Sequence, residues 1–405
     1  MTRVIVVLVP LAIVATLAAQ QPSPAAGTVA ITVTESAGMR RTEFPVRATV
    51  SLAQRTLPGT DAAAHVRLMQ ADAEVPAQYT VMASWPDGSA RSVDVDFNAS
   101  LAPNEKREYR LEYGANVTAA QKPRGLTVTE TADAVQIGNI KFGRNASPLI
   151  QSANYRGEFI GQGQNGFAAL DAADGRHDLS TAIDLKVEIV KRGPLVALLQ
   201  YTGKLTIDGA AVPFTLTLEM PNSKSWLKSS IELTNASRRV KTLSFDTPFA
   251  LGAFPWLWDF GTENDTYGVF RAAADGALFT QVVVPSGGRG QASNWNVQNT
   301  AQGQLRPYEV SVAAPGRSSM ASGWGHFQGP TLAIPFAFQD FGNTPGTYVV
   351  SLNGQGQASW QFSPSGTATT HRFGIYQHFV TTPVPVGAAT SPASMVHAPT
   401  VTVQR

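Results

Sequence analysis

The 405-residue sequence contains no cysteine, which removes disulfides and thiolate metal ligation together. A chain without cross-links must be held by its core, and this length suffices to build one. Charge is scarce as well: 15% of residues are Asp, Glu, Lys or Arg, and the formal net charge is +2. With no basic block and no strong bias, nucleic acid is not an expected partner. Helical periodicity is missing too, since only the N-terminal apolar run sustains a helical period beyond about ten residues. The 6 histidines form no His-Glu-x-x-His pattern. The chain also lacks a Gly-x-Ser-x-Gly elbow, a phosphate loop and a dinucleotide fingerprint.

What is abundant is turn and strand chemistry. The 35 glycines and 26 prolines punctuate short runs of Val, Thr and aromatic residues, which favours β-structure over helix. The N-terminus, "MTRVIVVLVPLAIVATLAAQQPSPAAG", puts Arg3 before an apolar run over residues 4–17. That run has the length of a signal-peptide core and is too short for a transmembrane helix, so residues 1–27 read as signal and linker. The expectation is a periplasmic or secreted bacterial protein with no membrane span left after signal removal.

Six strand-like runs fill residues 28–114. In "SARSVDVDF", Val93, Val95 and Phe97 alternate with Asp94 and Asp96, and "WPDGS" (85–89) before it is a hairpin turn. This predicts a small β-barrel-like domain over residues 28–115. Longer strands then run to about residue 380, among them "AIDLKVEIVKRGPLVALLQYTGKLTI" and "VPFTLTLEM", and predict two large stacked sheets over 120–380. Residues 381–405 read as a Pro/Thr-rich tail. The expected fold class is all-β, a small barrel-like domain followed by a large antiparallel super-sandwich.

On "WPDGSARSVDVDF", and on "VEIVKRGPLVALLQYTGKL" followed by "FTLTLEMPNSKSWLKSSIELTN", the chain resembles bacterial rhamnogalacturonan exolyase-type proteins. The resemblance implies their N-terminal barrel and central super-sandwich, a sandwich also found in mutarotase-like glycosidase domains. Those lyases generally add an α/α-toroid, and nothing here builds one, so their activity does not carry over by default.

Several constellations suit carbohydrate chemistry. If "PWLWDFGTENDTYG" begins as a strand, Phe254, Trp256, Trp258 and Phe260 share one face, with Leu257 and Asp259 on the other. The aromatic face is either a stacking platform for sugar rings or core filling between sheets. Asp259 with Glu263 or Asp265 offers a carboxylate pair for acid and base or oxygen ligands for calcium, with a solvated turn as the plainer reading. In "DAADGRHD", Asp171, Asp174 and Asp178 form either a solvated turn or a calcium loop, the one cofactor the sequence suggests. In "HRFGIYQHF", Arg372, Tyr376 and His378 fall on one strand face, and "GWGHF" adds Trp324 and His326. An Arg to neutralise a uronate carboxylate, with Tyr or His to move protons, is what β-elimination requires. A polar outer face is the plainer alternative. Trp295, in "GGRGQASNWNVQN", sits in an Asn/Gln-rich setting suited to neutral sugars.

The leading expectation is therefore a polysaccharide lyase-like protein acting on uronate-containing polysaccharide. Arg372, Tyr376, His378 and His326 would do the chemistry, while Trp256, Trp258, Asp259, Trp324 and Trp295 would bind substrate. A non-catalytic glycan-binding or assembly protein is the rival, and a glycoside hydrolase using Asp259 with Glu263 or Asp265 is a third reading.

Overall fold

The structure, a computed structural model, describes residues 27–120, 123–173, 175–262, 266–284, 294–301, 304–307, 321–366, 368–384 and 391–404. The apolar run at 4–17, Asp174, Glu263, Asp265 and the glycine-rich 287–290 lie outside the described residues. The regular structure of the described chain is almost entirely antiparallel strand, as the sequence predicts. Among the described residues, no helix is long and apolar enough to cross a membrane.

Two sheets form the N-terminal unit. One joins Gly27–Thr34, Lys106–Tyr113, Val66–Gln70 and Ala73–Val75 with Thr400–Gln404, a strand supplied by the segment read as a tail. The other joins Arg41–Ser51, Ala90–Leu101 and Ala77–Ser84. Between the last two, Gly88 takes φ +82° and Trp85 N–H donates to the Ser89 carbonyl at 2.8 Å, closing the expected hairpin. Val29, Ile31, Val50, Leu68, Val95 and Phe97 fill the space between the sheets.

The larger unit stacks an eight-stranded sheet on a ten-stranded one. The ten-stranded sheet runs in the order Ile183–Arg192, Val196–Ile207, Ala210–Pro221, Trp226–Thr234, Thr370–His378, Leu332–Phe338, Trp324–Gln328, Trp256–Phe260 and Thr266–Phe270. Val380–Thr381 pairs beside Leu332–Phe338. Strict alternation fixes the faces: in Ala210–Pro221, Val212, Phe214, Leu216 and Leu218 point into the sandwich, and Thr215, Thr217 and Glu219 point out. Asp208 and Gly209 join this strand to Val196–Ile207 with φ of 48° and 76°, the left-handed pair a two-residue hairpin needs.

The outer face of the ten-stranded sheet carries the N-terminal unit. Gln78 reaches across to accept from the backbone N–H of Leu195 and Val196 at 2.8 and 3.0 Å. Lys191, its side chain wholly enclosed, donates to Asp94 and Asp96 at 2.7 Å each. Arg47 bridges Asp96 at 2.7 Å to Glu219 at 2.8 Å. This cluster balances three cations, counting nearby Lys228, against three carboxylates. The helix Ser391–Val396 packs on strands Trp324–Gln328 and Leu332–Phe338, with Met395 buried in the N-terminal unit's core.

Candidate functional site

The residues proposed for uronate elimination do not converge. Arg372 projects from the outer face and is ion-paired to Glu232 at 2.6 Å in an open depression. Tyr376 is on the same face but four residues along, about 13 Å at strand spacing. It lines a different, smaller cavity with Lys228, Glu219 and Trp226. Burial raises its phenol, against the lowering effect of Lys228. His378 is only 7% exposed, edge-on to Trp226, and burial pushes it down to about 3, with Lys224 adding in the same direction. A neutral imidazole under the N-terminal unit has no route to a substrate. The four-residue lyase assignment is therefore corrected, because docking of the N-terminal unit divides the face the residues share.

The tryptophan platform is corrected as well. Trp256 and Trp258 do share a face, but it is the inner one, and the rings are 5% and 1% exposed. Phe260 on that face meets Phe279 of the opposite sheet at 5.4 Å, which shows what the row packs against. Gly268 across from Trp258 has no Cβ because one would lie 2.4 Å from the indole. Trp295, 7% exposed, belongs to the same core.

The other side of that strand is different. Asp259 faces outward and stands in register between Tyr267 on one neighbouring strand and His326 on the other. Its Oδ1 accepts from the His326 backbone N–H at 3.0 Å, and its Oδ2 lies 2.5 Å from His326 Nδ1. The carboxylate thus orients the ring through Nδ1 and leaves Nε2 turned away from it. Trp324 lies two residues along from His326 on the same half-buried face. Leu257 and Tyr267, 42% and 64% exposed, extend the apolar surface on the opposite side. Pro335, Gln328, Pro392 and Val384, with Gly268 and the nearly buried Trp258 at its base, complete a groove of about 430 Å³.

This is the one place where residues singled out from the sequence meet: Asp259, His326 and Trp324. Tyr267 went unrecognised as part of it, although alternation in "TYGVF" puts it opposite Asp259 once the two strands are paired. Chemically, the groove offers a charged acceptor, an imidazole nitrogen and two aromatic surfaces. It can hold a polar molecule that also carries apolar C–H faces.

No metal-binding group of three or more His, Asp or Glu is found among the described residues. The two described carboxylates of the proposed calcium loop are engaged within the loop and its neighbours. Asp171 accepts from the backbone of Ala173 and Gly175 at 2.8 and 2.9 Å and from His177 at 3.1 Å, contacts that lower its pKa, the His177 bond most. Asp178 is paired with Arg176 at 2.7 Å.

No family model and no curated protein sequence matches the chain. In three dimensions it is similar to a protein in glycosyl hydrolase family 38 from Enterococcus faecalis, with a TM-score of 0.53 and 10% identity. That match covers 93% of this chain and 47% of the other, so the chain spans about half the length of that structure. An alpha-N-acetylgalactosaminidase from Bifidobacterium bifidum matches over 65% of this chain and 36% of its own, at 11% identity and a TM-score of 0.39. The likeness to the family 38 structure is one of fold. Neither structure is a rhamnogalacturonan lyase, and neither supports that resemblance.

Proposed function

We propose that this chain is a carbohydrate-recognising β-sandwich protein, with a sugar bound in the groove of Asp259, His326, Trp324 and Tyr267. The observation that carries this reading is the Asp259–His326 pair set between two half-open aromatic side chains. Sugar hydroxyls are fixed by hydrogen bonding to a carboxylate, which accepts from them, and to an imidazole nitrogen, and aromatic surfaces cover the C–H face of the ring. Fold similarity to a glycosyl hydrolase family 38 protein supports the same class. Isothermal titration of the purified mature protein against a polysaccharide panel is the test. Binding that is unchanged in both Trp324→Ala and His326→Ala would sink the proposal.

Hydrolysis is the second reading, supported by the same fold likeness and by the outward position of Asp259. Glycosidases use two carboxyl groups on opposite sides of the scissile bond. Among the described residues lining the groove, Asp259 is the only carboxylate, and Glu263 or Asp265 would have to supply the partner. Release of reducing ends, abolished in Asp259→Asn, would establish hydrolysis; binding without release leaves recognition alone. Export is part of the proposal and rests on the apolar run at residues 4–17. Mass analysis of the protein recovered from a bacterial periplasm should show that the first twenty or so residues have been removed; an intact N-terminus in the cytosol would refute it.

A further inference from the structure

The depression that holds Arg372 is built differently from the groove and lies elsewhere on the same sheet face. Its floor is a set of hydroxyls on neighbouring strands, Thr215, Thr217 and Ser230, and its volume is about 650 Å³. Gln339 lies flat across Gly374, where a Cβ would come within 2.5 Å of its amide carbon. Three hydrogen bonds hold it there: Ser230 Oγ donates to Oε1 at 2.8 Å, and Nε2 donates to the Ser229 and Ile375 carbonyls at 3.0 and 3.2 Å. The floor is therefore rigid before anything binds.

The walls remain available. Glu232 uses Oε2 on Arg372 Nε at 2.6 Å, and among the described residues its Oε1 and the two terminal nitrogens of Arg372 make no other hydrogen bond. The same holds for the carboxylate of Asp340 and the amide of Asn343 on the opposite wall. Asp340 holds a left-handed backbone, φ 51°, closing the turn that Asn343 N–H completes at 3.0 Å. A lining of hydroxyls, amides, two carboxylates and one guanidinium suits a molecule that both donates and accepts many hydrogen bonds. Two carboxylates against one cation in the lining oppose a negatively charged ligand, with Lys228 behind Asp340 offsetting part of that excess. The size falls within the range of about 300–1,000 Å³ found for small-molecule sites.

We infer that this depression is a second, independent binding site that takes a neutral sugar and rejects a uronate. It does not depend on the groove of Asp259, because it shares no residue with it.

Ligand-observed NMR and titration calorimetry with methyl glycosides of glucose, galactose, mannose and rhamnose, and with methyl glucuronide and galacturonide, test this. The protein used is the Trp324→Ala/His326→Ala double variant, in which the groove is disabled. At least one neutral glycoside should bind, at least tenfold more tightly than either uronide. Glu232→Gln in that background should weaken binding about tenfold, and Thr215→Trp, which fills the floor, should abolish it. Should Thr215→Trp fail to fold, Glu232→Gln and Asn343→Ala carry the test. Absence of neutral-glycoside binding, tighter uronide binding, or indifference to Glu232→Gln would each overturn the site. A wild-type protein that binds sugar while the double variant does not would uphold the groove and refute this site.

Discussion

Two polar assemblies occupy one face of the ten-stranded sheet, and they differ in what surrounds them. Under the N-terminal unit, Lys191, Asp94 and Asp96 are enclosed, Arg47 and Glu219 stand half-buried at their rim, and each is paired with an opposite charge. Burial works to raise the carboxyl of Asp96, Arg47 and Lys191 work against it, and the net effect is a rise. At the sheet's far edge, Asp259 and His326 pair with each other but remain partly open to a groove. Enclosed charge with full compensation joins two units of structure. A single pair beside exposed aromatic surface has capacity left for a ligand.

Breaking the enclosed assembly should give the largest effect. Lys191→Ala leaves two buried carboxylates with Arg47 as their one remaining cation, and losing one partner of a buried pair costs about 3–5 kcal/mol. Denaturant unfolding should show that loss, with sugar affinity in the folded protein unchanged. The pH dependence comes next. His378 is held at about 3 when folded, against about 6.5 in an unfolded chain, so the unfolded state takes up a proton that the folded state refuses. Its contribution to stability is full above about pH 6.5 and falls as pH decreases, by about 1.4 kcal/mol per unit. His371, also lowered by burial, acts in the same direction. Unfolding curves between pH 7 and 5 should slope this way, and His378→Gln should flatten them.

In the open assembly, Trp324→Ala should weaken glycan binding by about 1–3 kcal/mol, the range for losing one large apolar contact. Calorimetry should register it in a variant that unfolding curves show to be folded, since Trp324 also packs against the N-terminal unit's core. The smallest effect belongs to Arg372→Ala. Its pair with Glu232 is solvent-exposed, and such pairs contribute about 0–1 kcal/mol to stability. A large drop in denaturant midpoint would show that Arg372 belongs with the enclosed charges after all.

Period-two alternation made the strand architecture legible, and it placed Trp256 with Trp258 and Asp259 opposite them. It did not say which face was inner, because a sandwich strand with a covered outer face alternates in the same way as one facing water. Asp94 and Asp96 illustrate the point. Their polarity reads as a solvent face, yet they are 5% and 0% exposed, and the lysine that explains them is 97 and 95 residues away. The Asp259–His326 pair likewise spans 67 residues. Both residues were identified separately, but only strand order brings them into register. Arg372 and Tyr376 failed as a site for the converse reason. Nothing local in "HRFGIYQHF" reveals that another unit packs against Tyr376 while Arg372 stays open.

The strand Thr400–Gln404 pairs with Gly27–Thr34 along five consecutive positions. During synthesis, residue 27 leaves the ribosome long before residue 400 exists. The first unit must therefore wait, with one edge of its sheet unpaired, until the whole sandwich between them has been made. Contacts of such sequence separation slow folding. A slowly closing chain stays threadable for longer, which is what the proposed export would require of it.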